Sequence, residues 1–209
     1  GTLKLATSET VGTLAGAGAV NLQAFTLTLA GAGSTEYSGS MSGSGNLLKT
    51  GGGTLTLSGS NTALGWVSVG SGGVQFGAGS SLGASTVFAA PASSGLSTAV
   101  GASFTLGSGK VLGGGGALNG SFVLDVGSLL EPGIADPSVA PVPAASPLLV
   151  TQIQTTGTFA INGEVKLRLG SSATVFGGPG GVASNAGNSK ADKLSLSGAL
   201  SIGAGSTIT

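Results

Sequence analysis

Glycine recurs every few residues along almost the whole chain, 42 times in 209. Between the glycines, apolar residues recur at a spacing of two. Each glycine would cost about 1 kcal/mol in a helix interior, so helix is excluded as the main element. A spacing of two is that of a strand with one face buried and the other in water. The pairs are Leu3/Leu5, Val20/Leu22, Leu27/Leu29, Leu55/Leu57, Val67/Val69, Val74/Phe76, Phe104/Leu106, Phe122/Leu124, Phe159/Ile161, Leu167/Leu169, Leu194/Leu196 and Leu200/Ile202. Small or polar residues sit between them, among them Thr28, Thr56, Ser68, Gln75, Thr105, Lys166 and Arg168. These belong on the water side.

The strands are short and end in Gly, Ser-Gly or Asn-Gly, as at Asn119-Gly120 and Asn162-Gly163. An antiparallel sandwich prefers larger core side chains, often aromatic. Here aromatics are only 4% of the chain, so the core palette is Leu, Val, Ala and Ile. That palette suits a narrow stacked coil. Disorder goes with low hydrophobicity and high net charge, whereas this chain has zero net charge and a mean hydropathy of +0.47.

Self-similarity strengthens the case. A loose unit returns at Gly1-Thr2-Leu3-Lys4-Leu5, Gly53-Thr54-Leu55-Thr56-Leu57, Gly73-Val74-Gln75-Phe76-Gly77 and Gly198-Ala199-Leu200-Ser201-Ile202. A rung on the order of 20 residues gives about ten rungs. A lone rung cannot stand, because ordering costs roughly 1–2 kcal/mol per residue and each buried Leu or Val returns about 1.5–3 kcal/mol. Stacking covers both sides of each rung and completes its hydrogen bonds.

Pro132, Pro137, Pro141, Pro143 and Pro147 fall between Glu131 and Leu148. Proline cannot donate to a strand ladder. Residues 131–148 are therefore expected to form a loop or insertion in a single solenoid spanning 1–209. The rival reading is two domains joined by a linker. The first and last residues read as ordinary rung sequence, so the chain is expected to be a piece of something longer, or to pair with further copies head to tail.

The segment Gly43-Ser44-Gly45-Asn46-Leu47-Leu48-Lys49-Thr50-Gly51-Gly52-Gly53-Thr54-Leu55-Thr56-Leu57-Ser58-Gly59-Ser60-Asn61-Thr62 resembles the autotransporter-associated β-strand repeat, also called the passenger-associated transport repeat. Its usual form is G-x-G-x-L-x-K-x-G-x-G-T-L-T-L-x-G-x-N-T-Y-x-G. Ala63 stands where the family has Tyr, and Trp66 where it often has a small residue. The stretches 67–83, 127–133 and 192–202 resemble later parts of the repeat. The resemblance implies a right-handed parallel β-helix on the surface of a Gram-negative-type bacterium. It implies architecture far more firmly than activity.

Chemistry is sparse. The chain has no His and no Cys, which removes the commonest general base, the commonest metal ligand and any disulfide framework. No catalytic, cofactor-binding or metal-binding residues are assigned, and no cofactor is expected. The seven basic residues form no patch for phosphates, so nucleic acid is not an expected partner. No apolar run approaches the ~20 residues of a membrane span. The acidic residues are Glu9, Glu36, Asp125, Glu131, Asp136, Glu164 and Asp192. A glycosidase needs two carboxylates about 5–10 Å apart; stacking could bring Asp125 near Glu164, against the plainer reading of isolated surface charges.

Gly107-Ser108-Gly109-Lys110 lacks the Gly and the hydroxyl residue that complete a phosphate loop, since Phe104 and Val111 occupy those places. Residues 113–116 read as a tight turn, and Asn119-Gly120-Ser121 as a chance match to a glycosylation acceptor. Trp66 and Tyr37 could stack on sugars or fill the core. Glu164, Lys166 and Arg168 read as a solvent-facing charge row.

These readings favour a non-catalytic extracellular structural module, part of a cell-surface or filament-forming protein that could assemble end to end. The alternatives are an adhesin or passenger that binds cell-surface glycans, with the Pro-rich stretch as its binding loop, and a polysaccharide-degrading enzyme.

Overall fold

The computed structural model describes residues 1–62, 64–89, 94–131, 136–138, 152–166, 193–196, 199–204 and 206–208. Among them there is no helix, and every pairing between named strands is parallel. The chain is an all-β parallel solenoid.

Its strands fall in a repeating cycle of three walls. Wall one is a nine-stranded sheet of Glu9–Val11, Thr26–Leu29, Asn46–Lys49, Trp66–Val69, Thr86–Ala89, Val111–Gly114, Leu129–Glu131, Glu164–Val165 and Thr207–Ile208. Wall two is a seven-stranded sheet of Thr35–Tyr37, Thr54–Leu57, Gly72–Phe76, Ser94–Thr98, Ala117–Asn119, Gln152–Thr156 and Lys193–Leu196. Wall three is made in two pieces. Thr2–Lys4, Ala19–Asn21, Met41–Ser42, Ser60–Asn61 and Ser81–Leu82 form one sheet. A separate sheet of Ser103–Leu106, Ser121–Leu124, Phe159–Ile161 and Leu200–Ile202 then takes the same place in the cycle.

The expected rung length, on the order of 20 residues, holds as far as Leu130, and is strictly regular only as far as Val87. Along wall one Leu27, Leu47, Val67 and Val87 are spaced by 20 residues. The next steps, to Leu112, Leu130, Val165 and Ile208, are 25, 18, 35 and 43 residues. The two longest steps leave wall one after Glu131 and after Val165, and re-enter at wall two with Gln152 and Lys193. They therefore open at the same corner on successive rungs. Of the Pro-rich stretch 131–148, only Glu131 and residues 136–138 lie within the described residues. Leu167, Leu169 and Arg168 lie outside them.

The period of two decides the core. In wall one Leu27, Leu47, Val67, Val87, Leu112, Leu130 and Val165 form an inward column, each at most 3% exposed. In wall two Leu55, Val74, Leu96 and Leu118 do the same. These columns belong to one continuous hydrophobic cluster inside the three walls. Aromatics matter more than their number suggests. Phe76 stacks on Phe104 with ring centroids 3.9 Å apart where the second piece of wall three begins. Phe104, Phe122 and Phe159 then continue as one ladder at 6.1 and 6.5 Å.

Corner glycines are dictated by close approach between rungs. A Cβ on Gly51 would collide with the Gly31 carbonyl oxygen, and one on Gly31 with that of Gly12. The same holds for Gly59 over Gly39 and Gly39 over Gly18. The run 113–116 is not wholly a turn: Gly113 and Gly114 finish the strand Val111–Gly114, and the corner follows.

Candidate functional surfaces

The motif stretch from Gly43 to Thr62 places two polar residues inside the solenoid. Lys49 shares the inward column of Leu29, Val69 and Ala89 and is 3% exposed. Its ammonium donates to the Gly51 carbonyl at the corner. Burial lowers its pKa below the ordinary lysine value. Asn61 is fully buried in the column of Val20, Met41 and Leu82. It donates to the Gly59 carbonyl at 3.1 Å and accepts from the Met41 amide at 3.3 Å. Both groups bond corner carbonyls from within, and neither faces a solvent-accessible site.

Tyr37 also points inward and is buried. Its hydroxyl donates to the Gly18 carbonyl at 2.6 Å, with the Ser40 carbonyl at 2.9 Å. Desolvation raises its pKa, with a backbone hydrogen bond at Val20 pulling the other way. Of the two aromatics considered for sugar stacking, Tyr37 is therefore a core residue. Trp66 is half-buried on the outward side of wall one, next to inward Val67, and its amide donates to Asn46 Oδ1 at 3.1 Å.

The carboxylates are dispersed. Glu9 lies exposed in the strand Glu9–Val11. Glu36 projects outward from wall two and accepts from Ser58 Oγ at 2.7 Å. Asp125 turns its carboxylate onto the following amide, Val126 N, at 2.9 Å. Stacking does bring Asp125 and Glu164 to one corner on adjacent rungs, because Leu124 pairs with Ile161 and Leu129 with Glu164. Asp125 is occupied there in shaping its own turn. Asp136 accepts from Ser68 Oγ at 2.9 Å. Asp192 lies outside the described residues. Among the described residues no group of three or more His, Cys, Asp or Glu could hold a metal ion.

Lys110 closes the turn at Gly107, its amide donating to the Gly107 carbonyl at 3.2 Å, and its ammonium donates to the Gly83 carbonyl at 2.6 Å. It is a strut between rungs. Asn119 ends a strand on the outward side of wall two, and Gly120 follows with a φ of 112°. A shallow groove of ≈ 320 Å³ crosses that outward side, with Gly73, Gly95 and Ala117 along its floor and Ser97 and Asn119 at its edge. No charged residue lines it. Among the described residues no helix is long and apolar enough to cross a membrane.

Comparison with protein-family models, with curated proteins and with solved structures gives no match to this chain.

Proposed function

We propose that the chain is a non-catalytic structural module of an extracellular or outer-membrane-surface bacterial protein. In this reading it is a right-handed parallel β-helix of the autotransporter passenger-repeat type, one unit over 1–209 with 131–148 as an insertion. It acts as a stiff spacer. One observation carries the reading: the inward column of wall one continues from Leu27 to Val165, while carboxylates such as Glu36, Asp125 and Asp136 are dispersed and engaged by hydroxyls or turn amides. The ordering goes into stiffness and not into a reactive cluster.

The test images purified protein by negative-stain electron microscopy across a concentration series and assays reducing ends released from polysaccharides. Short rods with no sugar release are the expected result, and sugar release would sink the reading. Regular fibres would add end-to-end assembly, for which Leu3, Val11, Leu200 and Ile202 offer uncovered apolar surface that a continuing chain would cover equally well. A glycan-binding passenger is the second reading, supported by the neutral polar groove on wall two. Binding on a glycan array that survives deletion of residues 135–147 would place recognition on that groove; loss on deletion would place it on the Pro-rich stretch.

A further inference from the structure

One outward column of wall one runs Thr28, Leu48, Ser68, Phe88, Gly113 and Glu131. Strand pairing cannot bury outward side chains; only something lying on the sheet can. Yet Ser68 is 0% exposed and Phe88 is 5% exposed, while Val67, Val69, Val87 and Ala89 hold the inward places. Phe88 is buried without belonging to the internal core cluster. What lies on Ser68 is Asp136. Its Oδ1 accepts from Ser68 Oγ at 2.9 Å, and from both the amide and the hydroxyl of Ser138 at 2.8 Å. An aspartate bonding the amide two residues on is an Asx turn, and Pro137 presets φ within it.

The distances agree with the register. Three rungs separate Glu131 from Ser68 in this column, about 14 Å at the usual strand spacing. Five residues span at most about 17 Å, so Asp136 reaches Ser68 with little slack.

We propose that Asp136, Pro137 and Ser138 form an intramolecular clasp. The occupant of the outward side of wall one at Ser68 is this chain's own Asp136–Ser138 segment. The patch it covers is withheld from second copies and other partners. The inference does not depend on the spacer reading.

Trp66 is the sole tryptophan and lies on the same side of the sheet as Ser68, two residues away. In the full chain, Asp136→Ala is expected to leave far-ultraviolet circular dichroism unchanged. Trp66 emission should shift to longer wavelength and acrylamide should quench it more strongly. Unchanged emission and quenching in a folded Asp136→Ala protein would overturn the clasp. Should that variant fail to fold, the absence of native cysteine allows a second measurement. Leu48→Cys with Pro137→Cys, which keeps both Ser68 and Asp136, is treated with a short bis-maleimide. Crosslinking within one chain supports the clasp; no crosslink, or a crosslinked dimer, overturns it.

Discussion

Lys49 is the residue at which reading by charge and reading by position part company. Its parity with Leu47 places it inward, yet a lysine on a strand is ordinarily assigned to water. The parity was legible in the sequence; the carbonyl that receives the ammonium was not, because Gly51 reaches it only once the corner is folded. An ion held in an apolar interior is often no better than a hydrophobic side chain of the same shape. Lys49→Met is therefore expected to raise stability at pH 7 by about 1 kcal/mol, read from urea unfolding. The pH dependence has a definite sign. The folded-state pKa lies below the unfolded value, so the burial penalty is complete at low pH. It disappears as pH climbs through the folded pKa towards the unfolded value near ~10.5. The advantage of Lys49→Met should shrink over that window; an advantage that grows with pH would contradict the assignment. Tyr37 has the opposite tendency, since its folded pKa is raised and ionisation above pH ~10 costs stability. Tyr37→Phe should lose about 1 kcal/mol at neutral pH through its missing hydrogen bond, and should lose less than the parent on further alkalinisation. Ser68 shows the converse limit. Alternation put it correctly on the outward side, but its cover comes from 68 residues away, and no local pattern carries that.

At the scale of elements, the strands were largely legible and their grouping was not. Alternation places Leu27/Leu29, Val74/Phe76 and Phe122/Leu124 inward, as they stand. Gly-rich punctuation marks the corners. Which glycines are indispensable is a question of stacking. At Gly51 an added methyl meets backbone of the rung below, while at Gly52 it meets nothing within 4 Å. Gly51→Ala should destabilise by roughly 2 kcal/mol, in the range of overpacked sites. Gly52→Ala should be neutral or stabilising by up to about 1 kcal/mol through the unfolded chain. Parallel denaturation curves of the two variants decide this; equal effects would remove stacking as the cause. The phenylalanine ladder was hidden because its members lie 18 to 37 residues apart, at Phe104, Phe122 and Phe159. Phe122 has an aromatic neighbour on each side. Phe122→Ala is expected to cost about 3–5 kcal/mol, measured by the unfolding midpoint, and to exceed the cost of the same change at outward Phe88.

For the whole molecule, nine parallel strands in wall one at about 4.8 Å make a rod section roughly 38 Å tall. The sequence predicts about ten rungs on the order of 20 residues each, with an insertion over 131–148. Equal rungs end at Val87, and the two longest later steps both fall between wall one and wall two, since a corner can lengthen without disturbing the columns on the walls. The change of sheet in wall three was not legible, because Ser81–Leu82 and Ser103–Leu106 obey the same alternation as every other strand. It has a measurable signature. Backbone amides at these two edges lack a partner sheet on one side, so they should exchange with deuterium faster than those of Trp66–Val69 and Thr86–Ala89 at the same height. Equal protection would mean that the two pieces are in fact joined. Mechanically, the molecule is a strut with a notch. A pull along its axis is shared by three rows of hydrogen bonds at most levels and by two at the notch, so it should part there first. It would then leave two shorter lengths, one mainly aliphatic inside apart from Tyr37 and Phe76, the other threaded by Phe104, Phe122 and Phe159.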